Sequence, residues 1–267
     1  MAGAGVRIFR VLVCSVGVAA IGACATSPLG RHQFKLYSDQ QISQMGALAF
    51  QQTVKETPVS HDATLTRFVQ CVAGAITAQT SYPAKWDVRV FQSDDVNAFA
   101  LPGGGIGVYT GLLKVTQDQD QLAAVIGHEV SHVIAGHANE RVSGQSLTQA
   151  GMQVAGASGM VGAGTLALLG MGAQVGILLP FSRTQESEAD LLGLDLMSRA
   201  GFDPRQSVTL WQNMQKAGGG KPPELLSSHP SDATRIAQLQ RRIPQDMPAY
   251  QQAVAAGRAP QCGPVPR

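Results

Sequence analysis

The apolar positions of the chain fall into three patterns. An unbroken apolar run from Val11 to Ala23 follows Arg7 and Arg10 and is too short to span a bilayer. Alternation with a period of two marks "WDVRVFQ" from Trp86, and two further short β-prone runs, "NAFALP" and "GIGVYTG", are joined by Gly103, Gly104 and Gly105; together they predict a small sheet. Helical spacing occupies most of the remainder. Asp39 reads as the cap of a helix running to about Glu56, and a second helix follows from Asp62 to about Gln79. From Asp118 onward helical patterns dominate, with helices expected near Glu186 to Ala200, Pro204 to Lys216 and Asp232 to Arg241. The predicted fold class is therefore α+β and mostly helical, with no internal repeat that would mark a solenoid.

The chain's beginning reads as a secretory signal: a basic start, the apolar run, then small residues. Its end, Ile21-Gly22-Ala23-Cys24, resembles a bacterial lipobox, which implies cleavage before Cys24 and lipid on its sulfur. Ala25 in the next position favours the outer membrane over the inner one, and the competing reading is an ordinary signal cleaved nearby. The expected organisation is a removed signal over 1–23, a polar lipidated tether over 24–38, a catalytic domain over 39–243 and a tail over 244–267. The signal carries Arg7 and Arg10 of 20 basic residues and none of the 18 acidic ones, leaving 18 of each. A balanced charge of this kind offers no nucleic-acid footprint. With Cys14 in the signal and Cys24 lipidated, Cys71 and Cys262 remain, and an oxidising periplasm favours a disulfide between them.

No charged residue occurs between Arg141 and Arg183. That stretch is long enough for a membrane span, but its density of Gly, Ala, Ser and Gln suits two short helices packed through small residues over 150–180, a lid or helical pair against the domain, better than a membrane hairpin.

Candidate chemistry begins at "AAVIGHEVSHVIAGH", where ionisable groups interrupt an apolar helical run. Burying them is costly unless they are paired or bind a metal. His128 and His132 lie four apart, on one helix face, and can both offer an imidazole nitrogen to one Zn²⁺. Glu129 can reach a water held by that metal as general base. A catalytic zinc needs a third protein ligand, and "RTQESEADLLGLDLM" supplies a candidate in Glu186. Asp190, one turn further, is placed to accept the free N–H of a ligating histidine. Read in isolation, Glu186, Glu188 and Asp190 would form a solvated acidic helix face; with H-E-x-x-H upstream, the metal-site reading is preferred. His137, five residues past His132, is turned away from the shared face and reads as a helix-end or surface histidine.

H-E-V-S-H, then E-S-E-A-D, then "SSHPSDATRI" resemble, in that order, the zinc metallopeptidase family that includes the heat-shock protease HtpX, the CAAX prenyl protease and several periplasmic lipoproteins. The resemblance spans roughly Phe50 to Leu239. It implies a compact zincin-type domain with an active-site helix and an edge-exposed sheet, one zinc per chain, His128, His132 and Glu186 as ligands, Glu129 as base and Asp190 as the residue behind a ligand. It also places His229 close to the metal, as a fourth ligand in a closed state or as a donor to the oxyanion. Arg235 is implied to bind substrate or steady the site, with a structural ion pair as the alternative. Asn97, Ala98 and Phe99 are implied to form an edge strand that pairs with an extended substrate.

The whole-chain expectation is an endopeptidase acting on misfolded or unassembled envelope proteins at the periplasmic face of the outer membrane, held there by lipid on Cys24, with no nucleic-acid partner and an open oligomeric state. The alternative is a latent, chaperone-like lipoprotein whose zinc site is closed by His229.

Overall fold

The computed structural model describes residues 24–157, 181–217 and 233–266, together with Leu225, Ser227 and His229. The signal segment and the larger part of the Gly-rich stretch lie outside the described residues. In chain order the elements are β1 (Cys24–Thr26), β2 (His32–Phe34), α1 (Asp39–Glu56), α2 (Ala63–Thr77), β3 (Asp87–Phe91), β4 (Ala98–Leu101), β5 (Gly105–Tyr109), α3 (Thr110–Leu113), α4 (Gln119–Ile134), α5 (His137–Ala157), α6 (Arg183–Ala200), α7 (Gln206–Ala217) and α8 (Ala233–Ala255). The described residues are mostly helical with small sheets, an α+β fold. None of the described helices is long and apolar enough to cross a membrane.

The chain divides into two compact units. In the smaller, built from the N-terminal segment and the stretch from Asn139, β1 and β2 pair antiparallel with Cys24 opposite Phe34. Arg31 grips Glu140 through both terminal nitrogens at 2.6 and 2.8 Å, and Asn139 Nδ2 donates to the carbonyl of Tyr37 at 2.7 Å. The polar segment expected as a tether is thus held by a two-pronged ion pair and main-chain bonds within this unit, contacts between sequence-distant residues that composition alone does not reveal.

The larger unit holds the sheet and the core. Its strands run in the order β3-β5-β4, with β3 parallel and β4 antiparallel to β5. The β4–β5 hairpin closes through a turn in which Gly104 N donates to Leu101 O at 3.1 Å, with Pro102 and Gly103 at its centre and Gly103 at φ 90°. Proline followed by a positive-φ glycine is the chemistry of a type II turn. Phe50, Phe91, Phe99 and Tyr109 pack together against this sheet, over strand positions that Gly105 and Gly107 leave bare.

Helix α4 runs through the middle of the core and is buried almost without interruption from Gln121 to Val133. Its start is fixed by Asp118, whose carboxylate accepts from Gln121 N at 2.8 Å. Helix α6 lies directly against it because two glycines meet at the crossing: a Cβ on Gly193 would sit 3.0 Å from the backbone nitrogen of His128. A capping box at Ser182 and Gln185 opens α6, and Gly201, at φ 87°, ends it. These are the two helices that carry the candidate ligands.

Helix α8 extends further than the sequence reading places it. The expected end is near Arg241, yet the helix continues through Pro244 and Pro248 to Ala255. Each proline removes one backbone donor, but Leu239, Asp246 and Ala253 stay buried along one side, so packing outweighs the lost bonds. Beyond it, Cys262 is bonded to Cys71 of α2 with Cα atoms 5.6 Å apart. The last residues lie against Gln119 at the start of α4, which donates to Pro260 O at 2.7 Å and accepts from Cys262 N at 2.9 Å.

Candidate metal centre

Helix α4 presents His128 and His132 on one face, and α6 presents Glu186 opposite them. His128 Nε2 and His132 Nε2 are 3.0 Å apart, and each lies 3.4 Å from a Glu186 oxygen. His229 brings in a fourth group. Leu225 is buried in the core, His229 N donates to Leu225 O at 2.8 Å, and His229 Nδ1 lies 3.2 Å from His128 Nε2 and 2.9 Å from Glu186 Oε1. All four side chains are buried, and one ligand atom from each lies within 4.8 Å of all the others. Converging lone pairs repel one another unless a cation sits between them. Tetrahedral zinc with bonds of about 2.0–2.1 Å sets its ligands about 3.4 Å apart; five of the six ligand pairs, counting either Glu186 oxygen, lie at 2.9 to 3.4 Å, close to that spacing.

Behind the ligands stands an ionic layer. Asp190, one turn along α6 from Glu186, accepts from His128 Nδ1 at 3.0 Å. That bond puts the His128 proton on Nδ1 and frees Nε2 for a metal. Arg235 of α8 is buried, donates to Asp190 at 2.6 and 2.8 Å and pairs with Glu186 at 2.8 Å. Its guanidinium lies 3.8 Å over the Trp211 ring, a contact open to a planar cation. Of the roles considered for Arg235, the geometry supports steadying the carboxylates; at 5% exposure it does not face solvent.

Charge states follow from burial and these pairs. Burial and Arg235 oppose protonation of His128, and Glu186 and Asp190 outweigh them, raising its pKa to about 9 in the protein alone. Burial works against Glu186 ionisation, yet the three surrounding histidines hold its carboxylate far below the usual range. Burial likewise opposes Asp190, which Arg235 and His128 keep ionised. His132 is pushed well below its ordinary value by burial. Glu129 differs from Glu186 and Asp190: burial raises its pKa, only partly offset by His229 and His128. Its Oε1 accepts no hydrogen bond among the described residues and faces His229 Nε2 at 3.4 Å.

Two residues belong to this centre that the sequence reading left out. His137 is not a surface histidine; it is fully buried, with Nδ1 at 2.8 Å from His132 Nδ1 and Nε2 at 3.1 Å from Glu188. The reading carried helical periodicity past the end of α4. Gly136, at φ 69°, turns the chain there and starts a new helix at His137. Glycine just before that histidine was the available signal. Nor is the acidic run of α6 solvated: Glu186, Glu188 and Asp190 are all buried. Phe181, just before α6, stacks on the His132 ring with centroids 3.6 Å apart.

Asn97, Ala98 and Phe99 do not join the ligand cluster. Ala98 and Phe99 lie in β4, one of the two outer strands of the sheet, while Asn97 immediately precedes it and its carbonyl accepts from Tyr109 N at 3.1 Å. Leu225, whose carbonyl accepts from His229 N, is pinned beside this edge, since Leu225 N donates to Val96 O at 3.1 Å. Cys24 begins β1.

Comparison with known proteins agrees with this chemistry. The chain is 34% identical over 247 residues to the mitochondrial metalloendopeptidase OMA1 of Schizosaccharomyces pombe, an alignment covering 89% of this chain and 72% of that protein. It is 37% identical over 193 residues to the metalloendopeptidase OMA1 of Bos taurus, covering 68% of this chain and 36% of the other. With the beta-barrel assembly-enhancing protease of Yersinia pestis it shares 31% identity over 239 residues, 85% of this chain and 47% of the relative. The chain therefore spans less than half the length of the latter two. Residues 60–243, which contain every group of the centre, match peptidase family M48; the chain belongs to that family and is a zinc metalloendopeptidase.

Proposed function

We propose that this enzyme cleaves misfolded or unassembled proteins of the bacterial cell envelope, from the periplasmic face of the outer membrane, with Cys24 as its lipid anchor. The observation that carries the catalytic assignment is Glu129: a buried carboxylate with an unbonded oxygen, on the same helix turn as two histidines that face a third ligand. His128, His132 and Glu186 would hold the zinc. Bound there, the metal supplies a Lewis acid for the peptide carbonyl and lowers the pKa of water. Glu129, its pKa raised by burial, accepts a proton from the attacking water and delivers it to the leaving amine. Arg235 and Asp190 keep Glu186 and His128 in place while charge moves, and Phe181 covers one face of His132. Ala98 and Phe99 offer main-chain groups on an outer strand, which suits an extended, unfolded segment more than a folded surface.

The envelope assignment is supported by the lipobox-like Ile21-Gly22-Ala23-Cys24, by the Cys71–Cys262 bond, which belongs to an oxidising compartment, and by the likeness to a beta-barrel assembly-enhancing protease. Purified enzyme offered an unfolded outer-membrane protein and its folded form should cut the first alone, and Cys24→Ala should move the protein from the membrane to the soluble periplasmic fraction. Equal cleavage of both forms, or membrane retention of the Cys24 variant, would overturn these assignments.

A second reading concerns regulation. His229 Nδ1 lies among the ligand atoms, and a centre with four protein ligands has no place for substrate. In this state the enzyme is latent, and His229 has to leave for catalysis. His229→Ala should then raise basal cleavage of an unfolded protein; loss of cleavage with zinc retained would assign His229 to the oxyanion instead.

A further inference from the structure

Each histidine on α4 has a nitrogen turned toward the ligand cluster and a nitrogen turned away from it. For His128 the far nitrogen meets Asp190 directly. For His132 the far nitrogen meets a second imidazole, and that imidazole meets a carboxylate. We propose that His137 and Glu188 are positioning residues that lock His132 in the one tautomer and ring orientation that aims Nε2 at the metal.

The proton pattern along this chain is single-valued. This step rests on the zinc reading: as a ligand, His132 Nε2 carries no proton, so the proton of the neutral ring is on Nδ1. His132 Nδ1 is 2.8 Å from His137 Nδ1, a distance that admits one hydrogen and not two, so His137 Nδ1 accepts. The proton of His137 is then on Nε2, which lies 3.1 Å from Glu188 Oε2 and donates to it. The negative charge at the far end thereby strengthens His132 as a donor, as an outer carboxylate does for a zinc-bound histidine, but through one added ring. The added ring is needed because Glu188 is on the same helix as Glu186 and Asp190 and points to a different side of it. His137 comes from the other side of the Gly136 break, is fully buried and spans the gap. Phe181, stacked on His132 and 6.2 Å from His137 between ring centroids, leaves little room for either ring to turn over.

The test is zinc affinity of the full chain, measured by competition with a chromophoric chelator, for the wild type, His137→Ala, His137→Asn and Glu188→Gln. His137→Ala should bind zinc about 10–100-fold more weakly. His137→Asn, whose Oδ1 can accept from His132 Nδ1 near the position of the lost nitrogen, should recover most of that loss. Glu188→Gln keeps the volume and an acceptor but removes the charge, and should weaken zinc to an intermediate degree. The proposal is overturned if His137→Ala binds as tightly as the wild type, or if His137→Asn is as weak as His137→Ala, since packing alone would then explain the loss. Should His137→Ala fail to fold by circular dichroism, Glu188→Gln decides by itself, an unchanged affinity counting against the relay. A wild type that holds no zinc would instead refute the metal centre on which the relay depends.

Discussion

Replacing Gly193 by alanine should damage the metal centre while sparing the fold. The added Cβ would lie 3.0 Å from His128 N, 3.1 Å from Gly127 C and 3.2 Å from His128 Cα. All three are backbone atoms of a helix buried on every side, so no flexible side chain can yield. Restoring ordinary carbon contacts of about 3.5–4 Å requires α4 and α6 to part by roughly 0.5 Å. Overpacking of this kind costs about 1–3 kcal/mol, and replacing a helical glycine by alanine returns about 1 kcal/mol. The net loss of about 1 kcal/mol corresponds to a fall of roughly 2–4 °C in Tm. The same displacement separates His128 and His132 from Glu186, and a metal site tolerates ligand-distance errors of only about 0.2 Å. Zinc affinity, measured by chelator competition, should therefore fall about 10-fold or more, out of proportion to the stability change, with kcat/KM falling alongside. Gly74→Ala in α2 is the control, because a Cβ there meets nothing within 4 Å; it should raise stability by up to about 1 kcal/mol and leave zinc binding alone. Wild-type zinc affinity in Gly193→Ala would refute the claim that this crossing sets the ligand spacing.

Two further outcomes follow from the charges and the cross-link. His128 has its pKa raised to about 9 in the protein alone, so the stability it contributes to the metal-free fold is complete below its unfolded value of about 6.5 and is lost as pH rises through about 9. Calorimetry of the metal-free protein should show Tm falling from pH 7 to pH 9, while zinc binding tightens over the same interval because the metal displaces that proton; a flat or rising Tm contradicts the pairing of His128 with Glu186 and Asp190. Cys262→Ser opens a cross-link between residues 191 apart in sequence, for which chain entropy gives an upper value of about 5 kcal/mol. A loss of about 2–5 kcal/mol lowers Tm by roughly 5–15 °C, and the zinc stoichiometry should be unchanged because the tail lies at the start of α4, away from the ligands; an unchanged Tm would show that the bond does not constrain the chain.

Local chemistry accounts for what the sequence made legible. The side chain of Asp62 accepts from two backbone nitrogens at the start of α2, alternation marked β3, and the run of Gly103, Gly104 and Gly105 marked the join between β4 and β5. The four-residue spacings of His128 with His132 and Glu186 with Asp190 placed each pair on one helix face, and the Gly127–Gly193 crossing brought the faces together. What escaped was set by events no periodicity reports. Gly136 redirects the chain, so His137 returns to the site it seemed to leave. From Gln185 onward helix α6 is partly open to solvent only along Ser187, Leu191, Asp195 and Arg199, so Glu188 is buried although the sequence reading gave it no role. Packing carried α8 through two prolines, and a bidentate ion pair between Arg31 and Glu140 ordered a segment whose composition suggests a tether.

The most direct test of the central claim is zinc content and cleavage of an unfolded protein, measured side by side for the wild type and Glu129→Gln. One zinc per chain in both, with cleavage by the wild type alone and its loss on chelation, is the result predicted by a centre in which His128, His132 and Glu186 hold the metal and Glu129 moves the proton. Cleavage by Glu129→Gln at the wild-type rate, or by wild type stripped of zinc, would contradict it.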